Sequence, residues 1–238
     1  MIITVNKKIF VDSFLNPISK LSENITLEIG DKSLKTLASS ADNSTILLAE
    51  INCKIDSFTK SVIPDCKSFL RLLAGIEEEE ITLNFDSNVI RYQSKSFSFK
   101  YHLLDEAYAL TKKSFNETKL KSIQYDTSFS VSKKVFSEIL RYNSIVPDAE
   151  KLYFFTQGTD VHCRLADEQK SNINEIQIHA SSSFEGKQLP NSTLVLNVQN
   201  LLLTSFVGEF IEVSINHDLK VFKFKTDGLT YIISGLVK

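Results

Sequence analysis

Thr4-Val-Asn-Lys-Lys-Ile-Phe10 returns almost letter for letter as Ser130-Val-Ser-Lys-Lys-Val-Phe136, 126 residues further on when Lys133 is set against Lys7. Such a period is about one small domain, so the chain reads as two copies of one unit. In both copies an extended lead-in (Ile2, Ile3, Val5; Phe129, Val131) meets a helix cap, Asn6 or Ser132, whose side-chain oxygen can accept an orphan backbone N–H. A Lys-Lys pair then opens a helix. Its apolar residues, Ile9, Phe10 and Phe14 in the first copy and Val135, Phe136, Ile139 and Leu140 in the second, share one helical face. Burial of that face turns the lysines outward.

Working outward, Asn16-Pro17 is expected to end or kink the first helix. Strands follow at 25–29, 33–37 and 45–51, with a weaker one at 58–63. Asp65 to Ala74 reads as a second helix, with Phe69, Leu70 and Leu73 on one side and Lys67 and Arg71 on the other, and Gly75 closing it. Further strands are expected at 81–85, 89–93 and 96–101; in the last, Phe97, Phe99 and Tyr101 alternate with polar residues. The acidic run Glu77 to Glu80 reads as a solvated loop. Residues 106–126 lose regularity and connect domain 1 (1–105) to domain 2 (127–238). The second copy replays the first: a helix at 133–142, strands at 152–156, 160–165, 173–180 and 193–196, a short helix near 200–206, and strands at 211–215, 219–225 and 229–234. Many strands with two helices per copy make an α+β fold, helices on one side of antiparallel sheets.

Composition narrows the function. The 238 residues carry a net charge of −2, which argues against a uniformly basic nucleic-acid binder but leaves room for a basic patch. No apolar run approaches the ~20 residues that span a bilayer, so neither a leader nor a membrane partner is expected. Cys53, Cys66 and Cys163 are odd in number and far apart, which fits buried thiols in a reducing cytoplasm rather than disulfides or a thiolate metal site. The glycines are scattered, so no phosphate-cradling loop or dinucleotide fingerprint exists. His102, His162, His179 and His217 are isolated in sequence, and no nucleophile elbow occurs. No metal, cofactor or catalytic residue is expected, and the chain reads as a non-enzyme.

Four passages together resemble a known family: the two Lys-Lys segments, Ile55-Asp-Ser-Phe-Thr-Lys-Ser-Val-Ile-Pro-Asp-Cys-Lys-Ser-Phe-Leu-Arg-Leu-Leu73, and Val221-Phe-Lys-Phe-Lys-Thr-Asp-Gly-Leu-Thr-Tyr-Ile-Ile233. In order and spacing they are similar to the DNA sliding clamps, in particular those of T-even phages, and more distantly to proliferating cell nuclear antigen. The resemblance implies two clamp domains with antiparallel sheets outside and helices lining a hole. Three such chains would close a six-domain ring that encircles duplex DNA without sequence preference and tethers the replicative polymerase, after loading by a clamp-loader ATPase. If the chain is phage-encoded, the compartment is the cytoplasm of the infected host.

By position, the resemblance places Lys7, Lys8, Lys67, Arg71, Lys133, Lys134 and Arg141 on DNA. The chain departs from the pattern at Asp12 on the first helix and at the second helix of domain 2, which has no basic residue. A partner-peptide pocket would use Ala41, Ile46, Leu48, Tyr108, Leu110, Leu219, Ile232, Gly235 and Leu236, although strand alternation alone assigns Ile46, Leu48 and Ile232 to the core. Subunits would join through Phe97, Phe99 and Lys100 on one strand and Glu175, Ile176 and Ile178 on another, since two long exposed strands would otherwise be aggregation edges. The rival readings are a non-ring nucleic-acid-binding accessory protein and an enzyme with a dispersed site.

Overall fold

The computed structural model describes residues 1–30, 32–55, 59–105, 116–170, 174–191 and 194–236. The chain divides into two compact units, Met1–Leu120 and Lys121–Lys238.

In unit 1 the order is β1 (Ile2–Asn6), helix α1 (7–19), β2 (Ile25–Ile29), β3 (Ser33–Ser39), β4 (Thr45–Asn52), β5 (Lys54–Ile55), β6 (Thr59–Ile63), α2 (Cys66–Ala74), β7 (Glu80–Asp86), β8 (Val89–Gln93), β9 (Ser98–His102) and α3 (Glu117–Lys121), whose last residue opens unit 2. Its strands run β5-β1-β7-β8-β9 in one layer and β4-β3-β2-β6 in the other, antiparallel throughout. Unit 2 comprises β10 (Thr127–Ser132), α4 (Lys133–Ile145), β11 (Lys151–Gln157), β12 (Asp160–Ala166), β13 (Ile176–Ser181), β14 (Glu185–Gly186), β15 (Val195–Asn197), α5 (Val198–Leu202), β16 (Phe210–Asn216), β17 (Val221–Thr226) and β18 (Leu229–Ser234). Its layers are β14-β10-β16-β17-β18 and β13-β12-β11-β15. Strand for strand, the two orders are the same. The repeat read from two lysine pairs is therefore a repeat of the whole unit.

Alternation explains the layers. Along β7, Ile81, Leu83 and Phe85 are buried while Glu80, Thr82, Asn84 and Asp86 are exposed. The helices cover the inner faces with aromatic rings: Phe10 and Phe69 meet edge to face at 6.4 Å, and Phe69 packs on Tyr101 of β9 at 5.0 Å. In unit 2, Phe136 lies 4.8 Å from Phe206 and 5.6 Å from Phe224 of β17. Phe129 and Phe154 close the space between the two sheets at 6.0 Å. Among the described residues, no helix is long and apolar enough to cross a membrane.

Several expectations change. The first helix does not stop at Asn16-Pro17: it runs as a π-helix over Ile9–Leu15, and Pro17 is accommodated where this passes into an α-helical segment, Asn16–Ser19. The Asn16 N–H accordingly reaches back five residues to the Val11 carbonyl. Ile9, expected on the buried face, is 49% exposed. Asn6 does cap the first helix, accepting the Ile9 N–H at 3.1 Å, whereas Ser132 makes no side-chain cap bond. Strand β9 begins two residues later than expected, and β13 covers 176–181. The fourth helix extends to Ile145, and α5 ends at Leu202. The two-residue strands β5 and β14 and the short helix α3 are not foreseen by pattern, each being too short to display a period.

Candidate nucleic-acid interface

In unit 1 two helices carry basic residues on the side away from the core. Helix α2 starts at Asp65, whose carboxylate accepts the Ser68 N–H at 2.9 Å. Tyr101 of β9 pins this start from below, accepting the Asp65 N–H at 3.1 Å and donating to its carbonyl at 2.8 Å. With Cys66, Phe69 and Leu73 buried, the 3.6-residue period forces Lys67 and Arg71 into solvent. The Arg71 guanidinium donates to Ser68 Oγ at 2.8 Å, which extends it along the helix surface. Helix α1 packs against α2 through Phe10 and Phe69, and through the Cys66 thiol, 3.7 Å from the Leu15 carbonyl. Lys8 is exposed at its start. Lys7 is different: it is half-buried and its ammonium donates to the Ile76 carbonyl just beyond α2, so it ties the two helices together. Asp12 is exposed on α1 and accepts from the Asn16 amide at 3.4 Å.

In unit 2 the expected DNA-contacting residues all belong to α4. Phe136 and Ile139 are buried, and Lys133, Lys134 and Arg141 are exposed on the other side. Lys134 and Arg141 are seven residues apart, about two turns, and so point the same way. Lys134 stands 3.9 Å from Glu138, a loose i,i+4 pair with the lysine 83% exposed and available to another anion. The Arg141 guanidinium lies 4.8 Å from the centre of the Tyr142 ring. Helix α5 presents no cation. Exposed cations on regular helices suit phosphate contact and carry no information about bases.

The other expected positions separate into distinct environments. Of the pocket residues in unit 1, Ala41 is exposed, Leu48 half-buried and Ile46 buried at 7% exposure. In unit 2, Leu219 is 63% exposed on a tight turn, where its N–H is held by Asn216 Oδ1 at 2.6 Å. Ile232 is buried. Leu236 packs on Tyr153, Ala166 and Val195, and its N–H donates to the Val195 carbonyl at 2.8 Å. Gly235 is needed for this path: a Cβ there would stand 2.6 Å from the Lys220 carbonyl oxygen and 3.0 Å from that of Val195. Tyr108 and Leu110 lie outside the described residues.

Of the edge residues, Phe97 and Phe99 are half-buried beside Tyr92, and Lys100 is exposed; β9 is the last strand of its layer. Strand β13 is the outermost of its layer, with Glu175 just before it, Ile176 half-buried and Ile178 only 8% exposed. Lys119 and Lys121 are exposed on α3; by sequence they belong simply to a connector, because a five-residue helix is too short to reveal a face.

Burial also keeps the three thiols protonated at neutral pH. It pushes Cys53 up to about 11 and both Cys66 and Cys163 up to about 12.

No protein-family model and no curated protein sequence matches the chain. Solved structures do. The PCNA of A. fulgidus bound to the C-terminal region of FEN-1 superposes with a TM-score of 0.76 over 100% of this chain and 99% of that one, at 12% identity. The PCNA2–PCNA3 complex of Sulfolobus tokodaii gives 0.73 at 12% identity, with both chains fully covered. The DNA polymerase III beta subunit of Thermotoga maritima gives 0.74 at 15% identity over all of this chain, which spans 66% of that longer protein. Two units with one strand order, matched from end to end by these structures, give the chain the sliding-clamp fold.

Proposed function

We propose that the protein is a sliding clamp: three copies close head to tail around duplex DNA and tether the replicative polymerase, with no chemical step of their own. The observation that carries this reading is the duplicated clamp-fold unit whose helices present cations outward in both copies, in a chain of net charge −2. Topology then holds the ring on DNA, while Lys8, Lys67, Arg71, Lys133, Lys134 and Arg141 meet phosphates, with Lys7 steadying the helices behind them. A sequence-blind lining of this kind lets the ring slide. Closure needs two complementary edges. Strands β9 and β13 supply them, with Phe97 and Phe99 set against Ile176 and Lys100 within reach of Glu175 in the next subunit. Ile178 supports its own unit from the same strand face. An ATP-driven loader threads the ring.

Light scattering on the purified chain, together with synthesis on primed circular DNA, tests the proposal. A mass three times the 26.9 kDa subunit and longer products in the presence of loader are expected. A monomer that binds linear DNA would instead favour the non-ring accessory protein.

A polymerase or loader peptide is proposed to dock beside Leu219, Gly235 and Leu236, with Tyr108 and Leu110, outside the described residues, as its further expected contacts. The A. fulgidus neighbour, seen with the C-terminal region of FEN-1, supports a short peptide as the ligand. Leu236→Glu places a carboxylate among Tyr153, Ala166 and Val195, and weakening of peptide binding well beyond tenfold is expected in calorimetry with the trimer mass unchanged. Unchanged affinity would move the pocket elsewhere.

A further inference from the structure

Two of the histidines that look isolated in sequence become neighbours in unit 2. His162 of β12 and His179 of β13 are directly opposite one another in the antiparallel ladder, where Cβ atoms stand about 5 Å apart. Their rings lie 5.4 Å apart, centre to centre, at an interplanar angle of 77°. Phe155 stacks behind His162 at 5.7 Å and fixes that ring. Asp160 Oδ2 is 3.8 Å from Nε2 of His179, and both side chains are close to half exposed, at 44% and 49%. The Gln177 amide approaches Nδ1 of His162 at 3.4 Å.

We propose that His162 and His179 form a two-imidazole site for a divalent transition cation of the zinc, nickel or copper type, with Asp160 as a third ligand and water completing the shell. The ring separation is what such an ion requires. Bound to one nitrogen of each ring at about 2.0–2.1 Å, it stands about 3 Å from each ring centre, and at a tetrahedral angle the centres are then about 5 Å apart. The donor set, imidazole with carboxylate, suits these ions and not calcium or magnesium, which take oxygen ligands. Gln177 provides the outer contact. With its amide turned so that the oxygen accepts from Nδ1–H, it holds His162 in the tautomer that presents Nε2. Among the described residues no group of three or more His, Cys, Asp and Glu side chains is already set to hold a metal ion. The site is thus an open pair with a carboxylate in reach, so binding is expected to be weaker than in a closed structural zinc site. It would fasten β13 to β12, and it stands whether or not the chain forms a ring.

The test is calorimetric titration of the untagged full chain, stripped with chelator, with Zn2+ or Ni2+ alone. One ion per chain is expected. His162→Gln and His179→Gln should each lower affinity at least tenfold, Asp160→Asn severalfold, and His102→Gln not at all. Substoichiometric Ni2+ should broaden the ring-proton NMR signals of His162 and His179 ahead of those of His102 and His217. Absence of saturable binding up to the millimolar range, or a His179→Gln variant that binds as the parent does, overturns the proposal.

Discussion

Ile176→Asp is expected to turn the proposed trimer into folded 26.9-kDa monomers at micromolar concentration. The residue stands at the start of β13, half-buried, on the same strand face as Ile178 and Ala180. In the proposed assembly its remaining surface is covered by Phe97 and Phe99 of the next subunit. A carboxylate there would be taken out of water with no cation assigned to it, a cost of several kcal/mol that a strand-edge interface repeated three times cannot absorb. A shift of the dissociation midpoint by at least about a hundredfold follows. Ile178 is a poorer probe, because at 8% exposure its replacement by Asp would damage the unit itself. Circular dichroism and a melting temperature close to the parent's establish that the variant is folded. If it remained trimeric at nanomolar concentration, β9 and β13 would not be the joining edges.

The second large effect concerns DNA. Lys133→Ala, Lys134→Ala and Arg141→Ala together remove all three of the exposed cations assigned to α4, nine charges in a ring of three. Processive synthesis on primed circular DNA should fall sharply. Its salt dependence should become shallower, since each phosphate that a cation neutralises adds about 0.9 to the steepness of the log–log slope. Sequence preference should not change. The measurement is product length across a salt series, with the trimer mass of the variant verified. A variant indistinguishable from the parent at every salt concentration would mean that α4 does not face the duplex, and that its lysines are only a solvated helix start.

Much of this is visible in the letters. The recurrence of Val-x-Lys-Lys-x-Phe at positions 5–10 and 131–136 announces the duplication, and the apolar residues behind it locate the buried side of each helix. From that side alone Lys67, Arg71, Lys133, Lys134 and Arg141 can be assigned to solvent, and the structure places all of them there. What stays hidden is of two kinds. Some features are too short to have a period, such as β5 and β14. Others depend on register between distant segments. The bond from Lys7 to the Ile76 carbonyl spans 69 residues, and the meeting of His162 with His179 requires knowing which residues of β12 and β13 are opposite. Local spacing contains neither. The π turn in α1 belongs with them, since Pro17 alone favours a break and only the packing of Phe10, Phe14 and Leu15 shows why the chain continues.

The tether on Lys7 makes the two halves of the chain unequal in a way that their shared strand order conceals. Lys133, its counterpart, stands exposed, and the cations assigned to DNA are spread over two helices in unit 1 but concentrated on one in unit 2. A duplex threaded through three such chains would therefore travel in a potential that repeats every 120° rather than every 60°. In the proposed ring of three, six walls of one fold would thus offer three preferred resting angles to the helix that passes between them.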